Sequence, residues 1–454
     1  MLLVAGLALV VGTPTVLAAT SATAGAAPVP SGTFRSTLGY PAGQTVTVAP
    51  GTQGALQDAF VLRDGYVYGS SEQASGAWTP WSRLNDTDLQ LTPVPLTWVP
   101  GTTGEVQELV GQFEGYVAVT FQAATGAWSP WTTAGEPGEG IADQPVAYAP
   151  ATAHTPQHLF AMADTGHVFM GTETTGVTTW TQIGGTGVTF FPTAGRVTYA
   201  PGSNGSTEEV FAFSGSSDEG PSCGDESGTD REFVTWETDG VWHTWVPFGT
   251  QRLDGAGQGV TYGPGSNGSL QEMFGVLTCR TSPSGYDVAV SWEAPDGAWS
   301  PWESYGPTPS DSTFELSRVT VAPGSNGSLQ EIFAIAGGTP IEEDGGAQVY
   351  VDWESPGGTW SGWTTMGPGT FPHWTATIVT YPGLFVVTYA PGTNGSLQEL
   401  FATSDTYTET VPGWKILVNW ENPGGTWSGW RSMGAAPGPP DYAYGPAVVT
   451  PAGP

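Results

Sequence analysis

The side chains of this 454-residue sequence whose type and spacing could do chemistry are tryptophans, of which there are 20. Thirteen of them occupy a repeated Gly-x-Trp-x-x-Trp motif, in which a glycine turn precedes two tryptophans three residues apart. The first-slot tryptophans are Trp78, Trp128, Trp242, Trp299, Trp360 and Trp427. The second-slot tryptophans are Trp81, Trp131, Trp180, Trp245, Trp302, Trp363 and Trp430. An indole ring stacks on the apolar C–H face of a sugar while its N–H stays available for hydrogen bonding.

The two tryptophans of one motif have different expected roles. In an extended strand residues i and i+3 point to opposite faces, so the pair should not line a single patch. Burying one indole removes about 150–250 Å² from water, which is worth at most about 4–6 kcal/mol. We therefore expect a tryptophan on the buried face of the strand to pack between repeats. A tryptophan on the other face is free to stack on a sugar ring.

The elements that would position these residues recur along the chain. Successive second-slot tryptophans lie 50, 49, 65, 57, 61 and 67 residues apart. Each repeat also contains a β-branched run such as 319–321, a turn such as "PGSNGS", a strand such as "LQEIF" and a strand ending in "WE". Four short strands at this period are typical of a propeller blade. The sequence predicts an all-β, seven-bladed β-propeller of four-stranded antiparallel blades, with an incomplete eighth blade as the alternative.

An acid recurs in the second strand of the repeat. The positions are Asp58, Glu108, Glu209, Glu272, Glu331 and Glu399, with His158 in the third copy. A strand packed on both faces tolerates such a group only when it is hydrogen-bonded. We expect a structural partner, an indole N–H or a backbone amide of the adjacent repeat.

Other chemistry is poorly supported by the sequence. There is no Gly-x-Ser-x-Gly, His-Glu-x-x-His or phosphate-binding glycine loop, and the five histidines (His154, His158, His167, His243 and His373) have no convincing metal spacing. We therefore predict no enzyme, no metal and no cofactor. The formal charge of -32 opposes contact with phosphate backbones, so nucleic acid is not an expected partner.

The ends of the chain predict export and ring closure. Residues 1–26 resemble a signal peptide, with small residues suited to cleavage near Ala22-Thr23-Ala24 or Ala24-Gly25-Ala26. We expect a linker over 27–44, the propeller over 45–434 and a tail over 435–454 that contributes to ring closure. An uncleaved segment could instead anchor the protein, but no later stretch is long enough to span a bilayer. We predict that the segment is cleaved and the protein secreted.

The sequence contains two cysteines, Cys223 and Cys279. The repeat register places both on one rim of adjacent blades, and an exported chain favours oxidised cysteines. We predict a disulfide between them.

The segments "GSLQEIFA" and "VNWENPGGTWSGW", in this order, resemble the repeat of the PLL-like β-propeller lectins. These are fucose-binding bacterial lectins. The resemblance covers about 46–434. It implies several shallow sugar sites between neighbouring blades, for fucose-like or other monosaccharide units of glycans. Matching positions make the first-slot tryptophans the leading site candidates, followed by the third-strand tryptophans Trp236, Trp292, Trp353 and Trp420.

Two departures limit what the resemblance implies. Val177 replaces the first-slot tryptophan of the third repeat, and "WE" replaces the Trp-Gln of the family, so fucose specificity does not follow. The leading hypothesis is a secreted carbohydrate-binding propeller. The alternative is a non-catalytic extracellular scaffold for protein interactions.

Overall fold

A computed structural model describes residues 45–435, apart from 64, 86–88, 102–104, 136, 152–155, 175–176, 191, 193–195, 215–230, 250–258, 279–285, 308–318, 337–347, 367–386 and 409–410. The signal peptide, the linker over 27–44, nearly all of the tail, and both Cys223 and Cys279 lie outside the described residues. The predictions made for them, including the disulfide, stay predictions. Within the described part of the chain there is no helix, and hence none that could cross a membrane.

The strands form seven antiparallel sheets in chain order, which confirms the predicted seven-bladed β-propeller. Blades 1 and 2 consist of β1 (Thr47–Pro50), β2 (Gln57–Arg63), β3 (Tyr66–Ser71) and β4 (Ser82–Arg83), then β5 (Thr97–Pro100), β6 (Gln107–Phe113), β7 (Tyr116–Gln122) and β8 (Thr132–Thr133). Blades 3 and 4 consist of β9 (Ala147–Ala149), β10 (His158–Met162), β11 (Val168–Thr174) and β12 (Val177–Gln182), then β13 (Thr198–Pro201), β14 (Glu208–Ser214), β15 (Arg231–Thr238), β16 (Val241–Trp242) and β17 (Val246–Pro247).

The remaining three blades follow the same order. Blade 5 consists of β18 (Thr261–Pro264), β19 (Gln271–Thr278), β20 (Tyr286–Glu293) and β21 (Glu303–Pro307). Blade 6 consists of β22 (Thr320–Pro323), β23 (Gln330–Ala336), β24 (Gln348–Ser355), β25 (Thr359–Trp360) and β26 (Thr364–Thr365). Blade 7 consists of β27 (Thr388–Pro391), β28 (Gln398–Thr408), β29 (Val411–Asn422), β30 (Thr426–Trp427) and β31 (Arg431–Ala435).

The first strands of neighbouring blades contact each other around the ring, and β27 contacts β1. In six of the seven blades a threonine near the start of the first strand donates its hydroxyl to the carbonyl oxygen that precedes the first strand of the next blade. The donors are Thr47, Thr97, Thr198, Thr261, Thr320 and Thr388. Blade 3 has Ala147 at this position and cannot make the bond. The described residues thus close the ring, since Thr388 Oγ1 lies 2.6 Å from the carbonyl oxygen of Val46.

The core lies between the blades. At the blade 7/1 interface, for example, Val46, Ala59 and Val61 of blade 1 pack against Phe401 and Ile416 of blade 7. Comparable clusters join blades 2/3, 3/4, 4/5, 5/6 and 6/7. Each blade is therefore held mainly by its two neighbours, which places the residues at the blade edges in shared clefts.

Candidate functional site

The turn between the first two strands of a blade meets the glycine turn of the next blade on one rim, as the sequence predicted. In blade 6 the turn Ser325-Asn326-Gly327-Ser328 has positive φ at both central residues, Asn326 (φ 45°) and Gly327 (φ 95°), which gives a tight hairpin. Asn326 Nδ2 donates to Glu421 Oε1 at 2.6 Å, and its Oδ1 accepts from the N–H of Gly424 at 3.2 Å.

At four interfaces the glutamate that follows the third-strand position is held by the turn of the preceding blade. At the blade 6/7 interface Ser325 Oγ donates to Glu421 Oε2 at 2.6 Å. At the blade 7/1 interface Thr393 Oγ1 and Asn394 Nδ2 donate to the two oxygens of Glu72 at 2.7 and 2.8 Å. Equivalent bonds join Ser203 to Glu293 and Ser266 to Glu354. These contacts orient a buried carboxylate at the base of the blade 4/5, 5/6, 6/7 and 7/1 clefts.

The recurrent acid of the second strand has a structural role, as expected, although its partners differ from those predicted. Glu331 accepts hydrogen bonds from the N–H of Ser325 (3.0 Å), from Ser325 Oγ (2.9 Å) and from Ser328 Oγ (2.8 Å), all in its own blade. Its contact with the next blade comes from Gln398 Nε2 at 2.5 Å, where an indole N–H or a backbone amide was expected. The same Gln398 nitrogen donates to Glu421 at 2.8 Å.

Each first-slot tryptophan is half-buried and packs edge-on against the second-strand phenylalanine of the preceding blade. Ring centroids are 5.5–6.0 Å apart, with planes at 69–81°, in the pairs Phe60–Trp128, Phe401–Trp78, Phe160–Trp242, Phe211–Trp299, Phe274–Trp360 and Phe333–Trp427. This is the predicted packing between repeats. Sequence places Val110 and Val177 at the corresponding positions of blades 2 and 3, so that interface lacks the aromatic pair.

The expectation that the two tryptophans of a motif face opposite ways is wrong. Trp427 and Trp430 pack against the same inter-blade cluster, as do Trp242 and Trp245. The extended geometry is broken between the two slots: β30 ends at Trp427, Gly429 has φ 79°, and pairing resumes only at Arg431. The interruption turns the second indole back onto the face of the first.

The third-strand tryptophans differ in what covers them. Trp353 is 37% exposed and is the most accessible of the four. The ring of His243 stacks on Trp236, with centroids 4.8 Å apart and planes 22° from parallel. Arg431 lies over Trp420, with its Cζ 4.5 Å from the ring centroid. Trp292 is half-buried against the blade 5/6 cluster.

Two clefts of the same design lie at consecutive interfaces. The blade 6/7 cleft has a volume of about 320 Å³ and is lined by Trp353, Trp427, Asn326 and Glu421. The blade 7/1 cleft has a volume of about 630 Å³, and the corresponding residues are Trp420, Trp78, Asn394 and Glu72. Each cleft thus combines one third-strand and one first-slot tryptophan with an oriented carboxylate.

The ring brings most of the predicted site residues together in pairs. Four interfaces carry both kinds of tryptophan: Trp236 with Trp299, Trp292 with Trp360, Trp353 with Trp427, and Trp420 with Trp78. Trp128 and Trp242 have no such partner, because the strand register puts Ser71 and Thr172 at the third-strand position of blades 1 and 3. The repeat therefore supplies four complete sites.

Sequence analysis missed one aromatic residue on this rim. Phe121 is 37% exposed and pairs with Glu108, just as Trp353 pairs with Glu331. Aligning "VTFQ" of blade 2 with "VDWE" of blade 6 would have identified it.

Burial dominates the electrostatics of these clefts. It raises the pKa of Glu72, an effect opposed by the hydrogen bond from Thr393 and reinforced by the nearby charge of Glu399. Burial likewise raises the pKa of Glu293, against the hydrogen bonds from Ser203 and Gln271. Within the described part of the chain, no three or more His, Cys, Asp or Glu residues lie close enough to hold a metal ion.

The fold and its repeated clefts define a seven-bladed β-propeller with ligand-sized sites between its blades. No family model and no curated protein matches the sequence. A mutant of AofleA from Arthrobotrys oligospora is 11% identical with a TM-score of 0.43, covering 86% of this chain and 90% of that one. The Aleuria aurantia lectin, described as a six-bladed β-propeller with a novel mode of fucose recognition, is 12% identical with a TM-score of 0.41, covering 77% and 97%. At this level the similarities assign no function.

Enzymes are also among the similar structures. A putative 6-phosphogluconolactonase from Bacteroides uniformis is 13% identical with a TM-score of 0.45, covering 86% of this chain and 95% of that one. The prediction that the chain is not an enzyme is therefore withdrawn, because enzymes as well as lectins are among the structures similar to it.

Proposed function

We propose that this protein is a secreted, lectin-like propeller that binds glycans through shallow sites between its blades, in the manner that the resemblance to the PLL-like lectins implies. The blade 6/7 cleft carries the proposal. It presents the exposed face of Trp353 beside Trp427, above the carboxylate of Glu421. An apolar ring face next to fixed hydrogen-bonding groups is the chemistry that a monosaccharide requires.

The arrangement favours weak, repeated binding. The clefts are shallow and four interfaces carry the complete set, so individual sites of roughly millimolar strength, about 4 kcal/mol each, would act together on a surface that displays many copies of the sugar. The glycine turns keep the clefts open to approach from solvent, because Gly425 and its neighbours Gly424 and Pro423 are exposed.

A glycan array followed by titration of the best sugar tests this proposal. Trp353→Ala should weaken binding and remove one site from the measured stoichiometry. Phe121→Ala is the matched control, because Phe121 is equally exposed at the same strand position but faces an interface whose first slot is Val177. Absence of binding across a broad array by folded protein, or equal effects of the two substitutions, would contradict the proposal.

One observation favours a second candidate, a scaffold that binds another protein. The residue that precedes the second strand is apolar and 38–40% exposed in four blades, at Val106, Leu270, Leu329 and Leu397. These side chains follow the same turns that line the clefts. Capture of a partner from an extracellular extract that resists elution with free sugars would support this candidate over glycan binding.

A further inference from the structure

One position differs in chemical class at each of the four complete sites. It lies on the fourth strand, opposite the valine two residues before the third-strand tryptophan. The register pairs Val234 with Val246, Val290 with Glu303, Val351 with Thr364 and Val418 with Arg431. All four fourth-strand residues are exposed. The blade 4/5, 5/6, 6/7 and 7/1 sites therefore have an apolar, an acidic, a neutral polar and a basic side chain at this place.

Arg431 changes the chemistry of the blade 7/1 cleft. Its guanidinium lies over Trp420, and both residues line the cleft together with Trp78 and Asn394. At the blade 6/7 interface the corresponding residue is Thr364, and Trp353 is 37% exposed. The blade 7/1 cleft thus presents hydrogen-bond donors where its neighbour presents an apolar ring.

The charge of Arg431 has no carboxylate partner within the described part of the chain. The chain has 10 Lys and Arg residues against 42 Asp and Glu, so most surface cations would be expected to meet a carboxylate. None of the described carboxylates forms an ion pair with Arg431. Stacking on an indole holds a guanidinium in one plane and leaves its N–H edges free, which is the geometry that pairs with a carboxylate through two parallel hydrogen bonds.

We infer that the blade 7/1 cleft binds a sugar unit that carries a carboxylate, that is, a uronic acid, and that Arg431 pairs with that carboxylate. This inference rests on the proposed glycan-binding function and gives this one site its ligand class. The sugar ring lies beside Trp78, and the residue at the position of Arg431 sets the preference of each site. The blade 6/7 cleft, with Thr364, takes neutral sugars.

Calorimetric titration with paired methyl glycosides tests the inference. The pairs are the glucuronide with the glucoside, the galacturonide with the galactoside, and the mannuronide with the mannoside. The wild-type protein should bind one or more uronides more tightly than the neutral parent. Arg431→Thr, which copies blade 6, should weaken that binding at least about tenfold and convert the cleft into one more site for the neutral glycosides. The reciprocal Thr364→Arg should add a uronide site.

The outcomes separate this inference from the proposed function. If neutral glycosides bind and the affinity for every uronide is unchanged by Arg431→Thr, the inference is overturned and the lectin-like function stands. Failure of both neutral and acidic sugars to bind would overturn both. If Arg431→Thr weakens binding of a sulfated monosaccharide but not of any uronide, the assignment of a carboxylate ligand is overturned. Because Arg431 is exposed, an unchanged melting temperature should confirm that the variant is folded.

Discussion

Trp78 packs edge-on against Phe401, with ring centroids 5.7 Å apart and planes at 80°, and so joins the first blade of the ring to the last. Two residues 323 positions apart in sequence thereby complete the inter-blade cluster that also contains Val46 and Ile416. Gln57 adds a hydrogen bond across the same interface, from Nε2 to the carbonyl oxygen of Pro391 at 3.1 Å. Closure of the propeller therefore uses the same aromatic contact as five of the other six interfaces.

Replacing Trp78 by alanine should destabilise the whole propeller. The change leaves a void at the closing interface, and a loss of about 3 kcal/mol in the free energy of unfolding is expected. Urea unfolding monitored by fluorescence measures it. Trp353→Ala serves as the control, because this tryptophan lies on the rim and should cost less than about 1 kcal/mol. Equal losses in the two variants would contradict the assignment of Trp78 to the core.

The blade 3/4 interface offers a test of the buried polar contacts. His158 Nδ1 lies 2.8 Å from Glu208 Oε2, and both residues are buried. At other interfaces an acid occupies the position of His158 and a glutamine the position of Glu208, as in the pair Glu331 and Gln398. His158→Glu alone should reduce the free energy of unfolding by about 3 kcal/mol, because it places two buried carboxylates together.

Adding Glu208→Gln to that variant recreates the Glu–Gln pair and should restore most of the lost stability. Denaturant unfolding of the two single variants and of the double variant measures the coupling. A double variant no more stable than His158→Glu would show that the two positions are not exchangeable with those of the other blades.

Glu232 predicts a pH dependence of stability. It is buried, neither carboxylate oxygen has a partner among the described residues, and burial raises its pKa from 4.5 to about 8. Between these values the folded protein keeps a proton that the unfolded chain loses, so the free energy of unfolding falls as the pH rises, by at most about 1.4 kcal/mol per pH unit. This contribution is complete below pH 4.5 and is lost once the pH passes about 8.

Glu232→Gln removes the titrating group and isolates its contribution. The stability of the wild type relative to this variant should decline steadily between pH 5 and pH 8. Chemical denaturation at several pH values provides the measurement. A constant difference across this range would mean that Glu232 is ionised in the folded protein or that its oxygens have partners in solution.

Uronide binding at the blade 7/1 cleft should strengthen as the pH falls below neutrality, because Glu72 gains its proton at a pH above the ordinary 4.5. Burial raises the pKa of Glu72, which lines the cleft beside Glu399. Glu72 therefore gains a proton before the sugar carboxylate does, since a free carboxylate of that kind titrates near about 3.5. The loss of one negative charge reduces repulsion of the ligand. Glu72→Gln should flatten the pH profile, and a variant that retains the wild-type profile would assign it to another group.

The repeated architecture was predictable because its causes are local. The Asn-Gly turns demand positive φ, the β-branched runs favour strands, and the recurrence of "LQEIF" and "GTWSGW" shows one unit copied seven times. Packing of the first-slot tryptophans between repeats was also predictable, since so many large apolar rings must be buried somewhere. The candidate site residues could therefore be listed before their neighbours were known, and their role in binding stays a prediction.

Which candidates act together was decided only by the tertiary structure. A pairing such as Trp353 with Trp427 joins two different blades. Local conformational preferences do not determine which side chains of neighbouring blades meet. The orientation of the second-slot tryptophans was mispredicted for a related reason, because the break at Gly429 depends on how the fourth strand meets its neighbour. Likewise, Arg431 is an ordinary surface cation in the sequence and becomes part of a cleft only because it lies over Trp420. Short-range conformational preferences determined the repeat, whereas closure of the ring determined the sites.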